Sequence, residues 1–210
     1  MNWKEIITEC RDVQSADEVN LICGDQLNEN HSWYADGPNP GRLYLLMEIR
    51  SETDYARHHI QKVVAFFGAM RLFAKRLKDL GHRVHYIALD DEENQQSFAA
   101  NVSFVLNRSG ALRFSWQQPD EYRLDEALNS LAADCEKKGV DTECADTEHF
   151  YTRRMDLAEF FKGKKTYRLE NFYRSMRAKH HILMDTEGNP EGGQWNFDAN
   201  NRQKLPKDHV

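Results

Sequence analysis

The sequence predicts an α/β fold, a doubly wound parallel sheet of five strands with helices on both faces, and three observations predict it. Five short aliphatic runs recur along the 210 residues, each bounded by turn residues and too short for a helix. Segments with apolar residues at three- and four-residue steps lie between most of them, which is helical spacing. Glycines stand where those segments should stop, at Gly81 and Gly139.

Taken in order, residues 1–18 form an arm or short helix anchored by Trp3, Ile6 and Ile7. Val19 to Cys23 is the first strand, and it stops at Gly24 in the polar loop Gly24-Asp25-Gln26-Leu27. A Pro/Gly/Asn turn at 36–41 introduces the second strand, Arg42 to Ile49. Ser51 followed by Asp54 resembles a capping box, and one long helix is expected from there to Leu80. Ala56, Ile60, Val63, Val64, Phe67, Met70, Ala74 and Leu77 would form its buried face. Glu52, Tyr55, His59 and Phe66 then share one border of that face, while His58 points elsewhere.

Arg83 to Leu89 is the third strand, Gln95 to Leu106 a helix, and Ala111 to Trp116 the fourth strand. Glu121 to Lys137 is a helix and Val140 to Ala145 the fifth strand, so the α/β domain spans residues 19–150. Helices follow at Met155 to Phe161 and Leu169 to Leu183, the latter with Leu169, Phe172, Tyr173, Met176, His180 and Leu183 on one face, making a helical extension over 151–185. Residues 186–210, rich in Gly, Asn, Pro and charge, read as the start of a linker.

Hydrophobic residues make up 40% of the chain and charged ones 30%, the composition of a folded domain. No apolar run approaches a membrane span, and the first residues lack a signal-peptide pattern, so a cytoplasmic location and no membrane partner are expected. The net charge of −6 argues against a strongly basic nucleic-acid surface, although Arg153, Arg154, Lys162, Lys164, Lys165 and Arg168 form a local basic set. Cys10, Cys23, Cys135 and Cys144 are scattered, which is the pattern of structural thiols rather than of a metal centre. Gly-x-Gly-x-x-Gly, Gly-Lys-Ser/Thr and Gly-x-Ser-x-Gly are all absent from the sequence.

In an open parallel sheet a ligand sits beyond the carboxyl ends of the strands. That rule selects Gly24 to Leu27, Met47 to Glu52, Asp90 and Asp91, Gln117 to Glu121, and Asp146 to His149. Several of these loops are acidic, which favours a neutral polar ligand over a phosphate-rich one. Each candidate also has a structural reading. Glu48, inside an apolar strand, is either paired with a cation or turned into a pocket. Asp25 and Gln26 either meet a ligand or organise their loop, and Phe66 is core or stacking platform. His58 and His59 diverge on a helix and do not share a metal.

The segments LICGDQLN, MEIRSETDYARHHIQKV, GHRVHYIALDD, QPDEYRLDE, DTEHF, ENFYRSMR and GGQWNFDANNRQKLP together resemble the amino-terminal region of the deoxyribodipyrimidine photolyase-related proteins. These are the prokaryotic iron–sulfur branch of the photolyase and cryptochrome family. The resemblance implies a Rossmann-like domain that holds a ribityl lumazine antenna chromophore. It also implies a helical carboxy-terminal catalytic domain, absent from this chain, with FAD, a four-cysteine iron–sulfur cluster and a site for (6-4) lesions in damaged DNA. The positions matching the antenna region are Gly24, Asp25, Gln26, Leu27, Met47, Glu48, Glu52, Tyr55, His59 and Phe66. A bulky ring at Phe66 either stacks on the chromophore or fills its place. On this reading the chain alone has no catalytic residues or metal site and is inactive. Two rival expectations are a free-standing small-molecule-binding or signalling module, and a docking domain with an empty pocket.

Overall fold

The computed structural model describes residues 3–198 and 204–205, and the chain divides into two compact units, Met1–His149 and Phe150–Val210. The first unit holds the sheet: β1 (Glu18–Leu21), β2 (Arg42–Met47), β3 (Arg83–Ile87), β4 (Arg113–Gln117) and β5 (Asp141–Ala145). Their spatial order is β3-β2-β1-β4-β5 and every neighbouring pair is parallel. This is the Rossmann-like α/β arrangement the sequence predicts, with its topological switch between β1 and β4.

Strand alternation sorts the core into two layers. Val19, Leu21, Leu43, Leu45, Phe114 and Trp116 pack with α4 (Phe98–Ser109) and α5 (Tyr122–Glu136). Ile22, Tyr44, Leu46, Val84 and Tyr86 pack with α3 (Ile60–Asp79) and with Ile6 of α1 (Trp3–Glu9). The amino-terminal arm is therefore part of the fold. Its end closes the open edge of β3: the Tyr86 N–H donates to the Cys10 carbonyl at 2.9 Å, and Arg83 pairs with Asp12 through Nε and Nη2, both at 2.9 Å.

The predicted long helix is two helices. A short α2 (Ser51–Asp54) ends before Tyr55, and α3 begins only at Ile60. The Ser51 capping box does not form; Arg50 stands at the cap position without a side-chain bond, and the Thr53 hydroxyl bonds Asp54 instead. His59 is extended and its Nδ1 accepts the Gln61 N–H at 3.2 Å, so an imidazole starts α3.

The predicted buried face also shortens. Phe67, Met70, Ala74 and Leu77 are buried, joined by Phe73, but Ala56 is exposed, and Ile60 and Val64 are 68% and 63% exposed. Length explains this. The 20 residues of α3 extend roughly 30 Å, whereas the six of β2 extend roughly 20 Å. Running antiparallel to the strands, α3 overhangs their carboxyl ends with its first turns.

The second unit holds α6 (Asp156–Phe161) and α7 (Leu169–His180). Phe160, Phe161 and Phe172 form its aromatic cluster. The predicted apolar face of α7 is only partly covered: Phe172, Met176 and His180 are half-buried, while Leu169, Tyr173 and Leu183 are exposed. The buried side chain of α7 is Arg177, which donates to the carbonyls of Ile182 and Leu183 and lies over Trp195. At the start of the predicted linker, the N–H groups of Glu187 and Asn189 donate to Asp185 just before it; the linker's positions 199–203 and 206–210 lie outside the described residues. Among the described residues no helix is long and apolar enough to cross a membrane.

Candidate functional site

The overhang of α3 makes a cleft at the carboxyl ends of β1 and β2, where the strand-end rule places a ligand. Its floor is Cys23, Gly24 and Met47; its walls are Val63, Phe66, Phe67 and Met70 of α3 with Phe98 and Leu124 at the starts of α4 and α5. Asp25, Glu52, Thr53, Tyr55, His58, Lys62 and Glu121 ring the mouth. The cavity measures about 160 Å³.

Of the ten residues the sequence selects, Gly24, Asp25, Met47, Glu52, Tyr55 and Phe66 line this cleft. Gly24 does so for a reason other than turning. Its φ is not positive, yet a Cβ there would stand 2.3 Å from Cζ of Phe66 and 2.9 Å from Sδ of Met70. The Phe66 ring rests on bare backbone. Met47 is held by Asn101, whose Nδ2 lies 3.4 Å from its sulfur.

The other four lie elsewhere. Gln26 is buried and structural: its Oε1 accepts the Cys23 N–H at 2.9 Å and its Nε2 donates to the Gln117 carbonyl at 3.1 Å, tying β1 to β4 across the switch point. Leu27 packs on the α1/α3 layer. Glu48 takes the cation-paired reading, fully buried beneath α3: Arg71 Nε and Nη2 donate to its two oxygens at 2.6 and 2.8 Å, the Tyr86 hydroxyl donates at 2.6 Å, and the Leu89 N–H at 2.9 Å. His59 caps α3, and the break before it reverses the two imidazoles, so His58 faces the cleft.

Arg123 of α5 spans the mouth. Its Nη2 donates to Glu52 at 3.1 Å, its Nε to Glu121 at 2.8 Å, and its guanidinium lies 5.1 Å from the centre of the Tyr55 ring. Lys62 Nζ donates to His58 Nδ1 at 3.2 Å, and His58 packs edge-on against Tyr55. Loss of hydration, with Asp120 and Glu121 adding repulsion, raises the pKa of the Asp25 carboxyl. Burial pushes the Cys23 thiol well up, which keeps it protonated and unreactive. Apolar walls below a mouth of mixed donors and acceptors suit a flat ring with a hydroxylated chain.

Sequence reasoning missed Cys23, Thr53, His58, Lys62, Val63, Phe67, Met70, Phe98 and Leu124 as lining residues. His58 was hidden by the helix phase, because an unbroken helix turns it away. Phe98 and Leu124 carry no local signal, since they reach the cleft only through the sheet's topology. Among the described residues no cluster of three or more His, Cys, Asp or Glu could hold a metal.

A (6-4) photolyase of Agrobacterium fabrum (strain C58 / ATCC 33970) is 32% identical over 188 residues, covering 90% of this chain and 36% of that protein. The chain thus spans about a third of that relative's length. Uncharacterized protein R852 of Acanthamoeba polyphaga mimivirus is 27% identical over 197 residues, covering 90% of this chain and 95% of its own length. Residues 20–210 match the family described as deoxyribodipyrimidine photo-lyase-related protein, and the chain belongs to that family.

Proposed function

We propose that the first unit is an antenna-chromophore domain, binding a ribityl lumazine in the cleft and collecting light for a photolyase-type flavoprotein. The observation that carries this reading is the position and chemistry of the cleft: an apolar slot with a polar mouth at the carboxyl ends of β1 and β2. The residues around the cleft match the pigment in chemistry. Met47, Val63, Phe67 and Met70 offer ring contacts, and Glu52, Thr53, His58, Lys62 and Glu121 offer donors and acceptors to carbonyls and ribityl hydroxyls. A bound lumazine supplies near-ultraviolet and blue absorption. The protein's own task is to bind, orient and exclude water, and none of these side chains is asked to move a proton.

On this proposal the FAD, the iron–sulfur cluster and the site for damaged DNA belong to a further catalytic domain of the full-length protein, and this chain alone performs no repair. The test is reconstitution with ribityl lumazine. A yellow complex whose mass spectrum contains the pigment is expected; a protein that stays colourless and takes up none overturns the proposal. A second reading, a free-standing small-molecule-binding module, is favoured by the mimivirus relative, which this chain matches over 95% of its length. That reading expects a non-pigment ligand in the same cleft.

A further inference from the structure

We infer that Phe66 sets the size of ligand the cleft accepts. With its ring seated on Gly24 the cleft takes one aromatic ring, and a two-ring heteroaromatic enters only where that ring is displaced or truncated. The inference rests on the pigment-cleft reading and deepens it.

Three observations carry it. First, the ring edge occupies the volume a side chain at position 24 would need, Cζ and Cε1 lying 2.3 and 2.6 Å from that point. The space directly above the carboxyl end of β1 is therefore filled by Phe66. Second, the remaining cavity, about 160 Å³, is on the scale of the roughly 150 Å³ apolar cavity known to hold a single benzene. A lumazine has a second fused ring, and the buried neighbours Met47, Phe67 and Met70 leave it little room to spread. Third, Phe66 is only half-buried, unlike Phe67 beside it. Its displacement costs less than moving a core side chain, and helical residues have a second allowed χ1 well to move into. Of the large side chains that α3 gives the cleft, Phe66 is thus the one free to give way. Its role is to set specificity, through competition between its own ring and the ligand's for the surface of Gly24.

The experiment titrates wild type, Phe66→Ala and Phe66→Leu with ribityl lumazine, following pigment absorbance and fluorescence, with thermal melts of each protein alongside. Phe66→Leu keeps most of the apolar volume and guards against a failure of the alanine variant to fold. A gain in affinity of at least about tenfold in a folded variant over wild type is expected. A smaller gain, or a loss, against a wild type that does bind overturns the inference and leaves the pigment reading standing, with Phe66 then a stacking wall. A wild type that takes up no pigment overturns the pigment reading even where a variant binds, and no binding by any of the three proteins overturns both.

Discussion

Glu48 shows what a single residue reveals in sequence and what it conceals. A carboxylate inside an apolar strand announces a buried charge that needs a partner, but its cation sits 23 positions away on α3 and only the fold brings Arg71 to it. With Tyr86 and Leu89 completing its acceptor sites, the group is fully satisfied. Removing one member strands the other, so Glu48→Ala should cost about 3–5 kcal/mol. Chemical denaturation measures this, and the Glu48→Ala/Arg71→Ala double variant should lose less than the sum of the singles. Gly24 teaches a related lesson. The residue is legible as a turn signal, whereas its real constraint is the ring above it. Gly24→Ala should therefore destabilise by about 1–3 kcal/mol through overpacking. The same substitution in a Phe66→Ala background should cost markedly less, and a denaturation cycle with equal costs in both backgrounds would disprove the contact.

At the scale of elements, all five strands were legible because short aliphatic runs between turn residues have few alternatives. Helix boundaries were less so. The break at residues 55–59 lies where α3 overhangs the sheet, and periodicity cannot tell an apolar residue that packs from one that projects past the end of its sheet. Ile60 and Val64 are of the second kind. The arm at residues 1–18 was legible as a weak helix, yet its work is to cover β3: it satisfies the Tyr86 N–H, pairs Asp12 with Arg83 and buries Ile6. An uncovered edge strand is a template for pairing with another chain. Deleting residues 1–12 should cost roughly 2–5 kcal/mol, from the lost burial of Ile6 and Cys10 and one lost backbone hydrogen bond. It should also produce concentration-dependent association. Denaturation and light scattering test the two effects, and an unchanged midpoint in a monodisperse variant would refute this role.

Across the whole molecule, acid should weaken the fold before most carboxylates titrate. His85 is buried in β3, and loss of hydration, helped by Arg11, lowers its pKa from 6.5 to about 4. Above pH 6.5 its ring is neutral whether the chain is folded or not. Between pH 6.5 and 4 the unfolded chain takes up a proton that the folded one refuses, so stability falls as pH falls, by an amount on the order of 3 kcal/mol. Burial lowers His82 as well and adds in the same direction. His85→Leu should flatten most of this slope, read from denaturation midpoints between pH 7 and 4; an unchanged slope would show that His85 is not its source. None of this was visible in sequence, because a histidine in a strand looks alike whether it faces water or the core.

The two sides of the cleft are fastened very differently, and the difference is one of rates. Beneath it, Gln26 ties β1 to β4 with buried amide bonds. His31, whose Nδ1 accepts the Trp33 N–H and whose Nε2 therefore donates to the Asp146 carbonyl at 2.7 Å, ties the same loop to the end of β5. Above it, α2 is joined to α5 by Arg123, a partly exposed ion pair with an aromatic contact, worth at most about 1 kcal/mol. Whatever enters or leaves the cleft should pass by way of that clasp while the sheet stays still. Salt or Arg123→Ala should then speed uptake and release together, severalfold in stopped-flow traces, with the equilibrium constant scarcely altered.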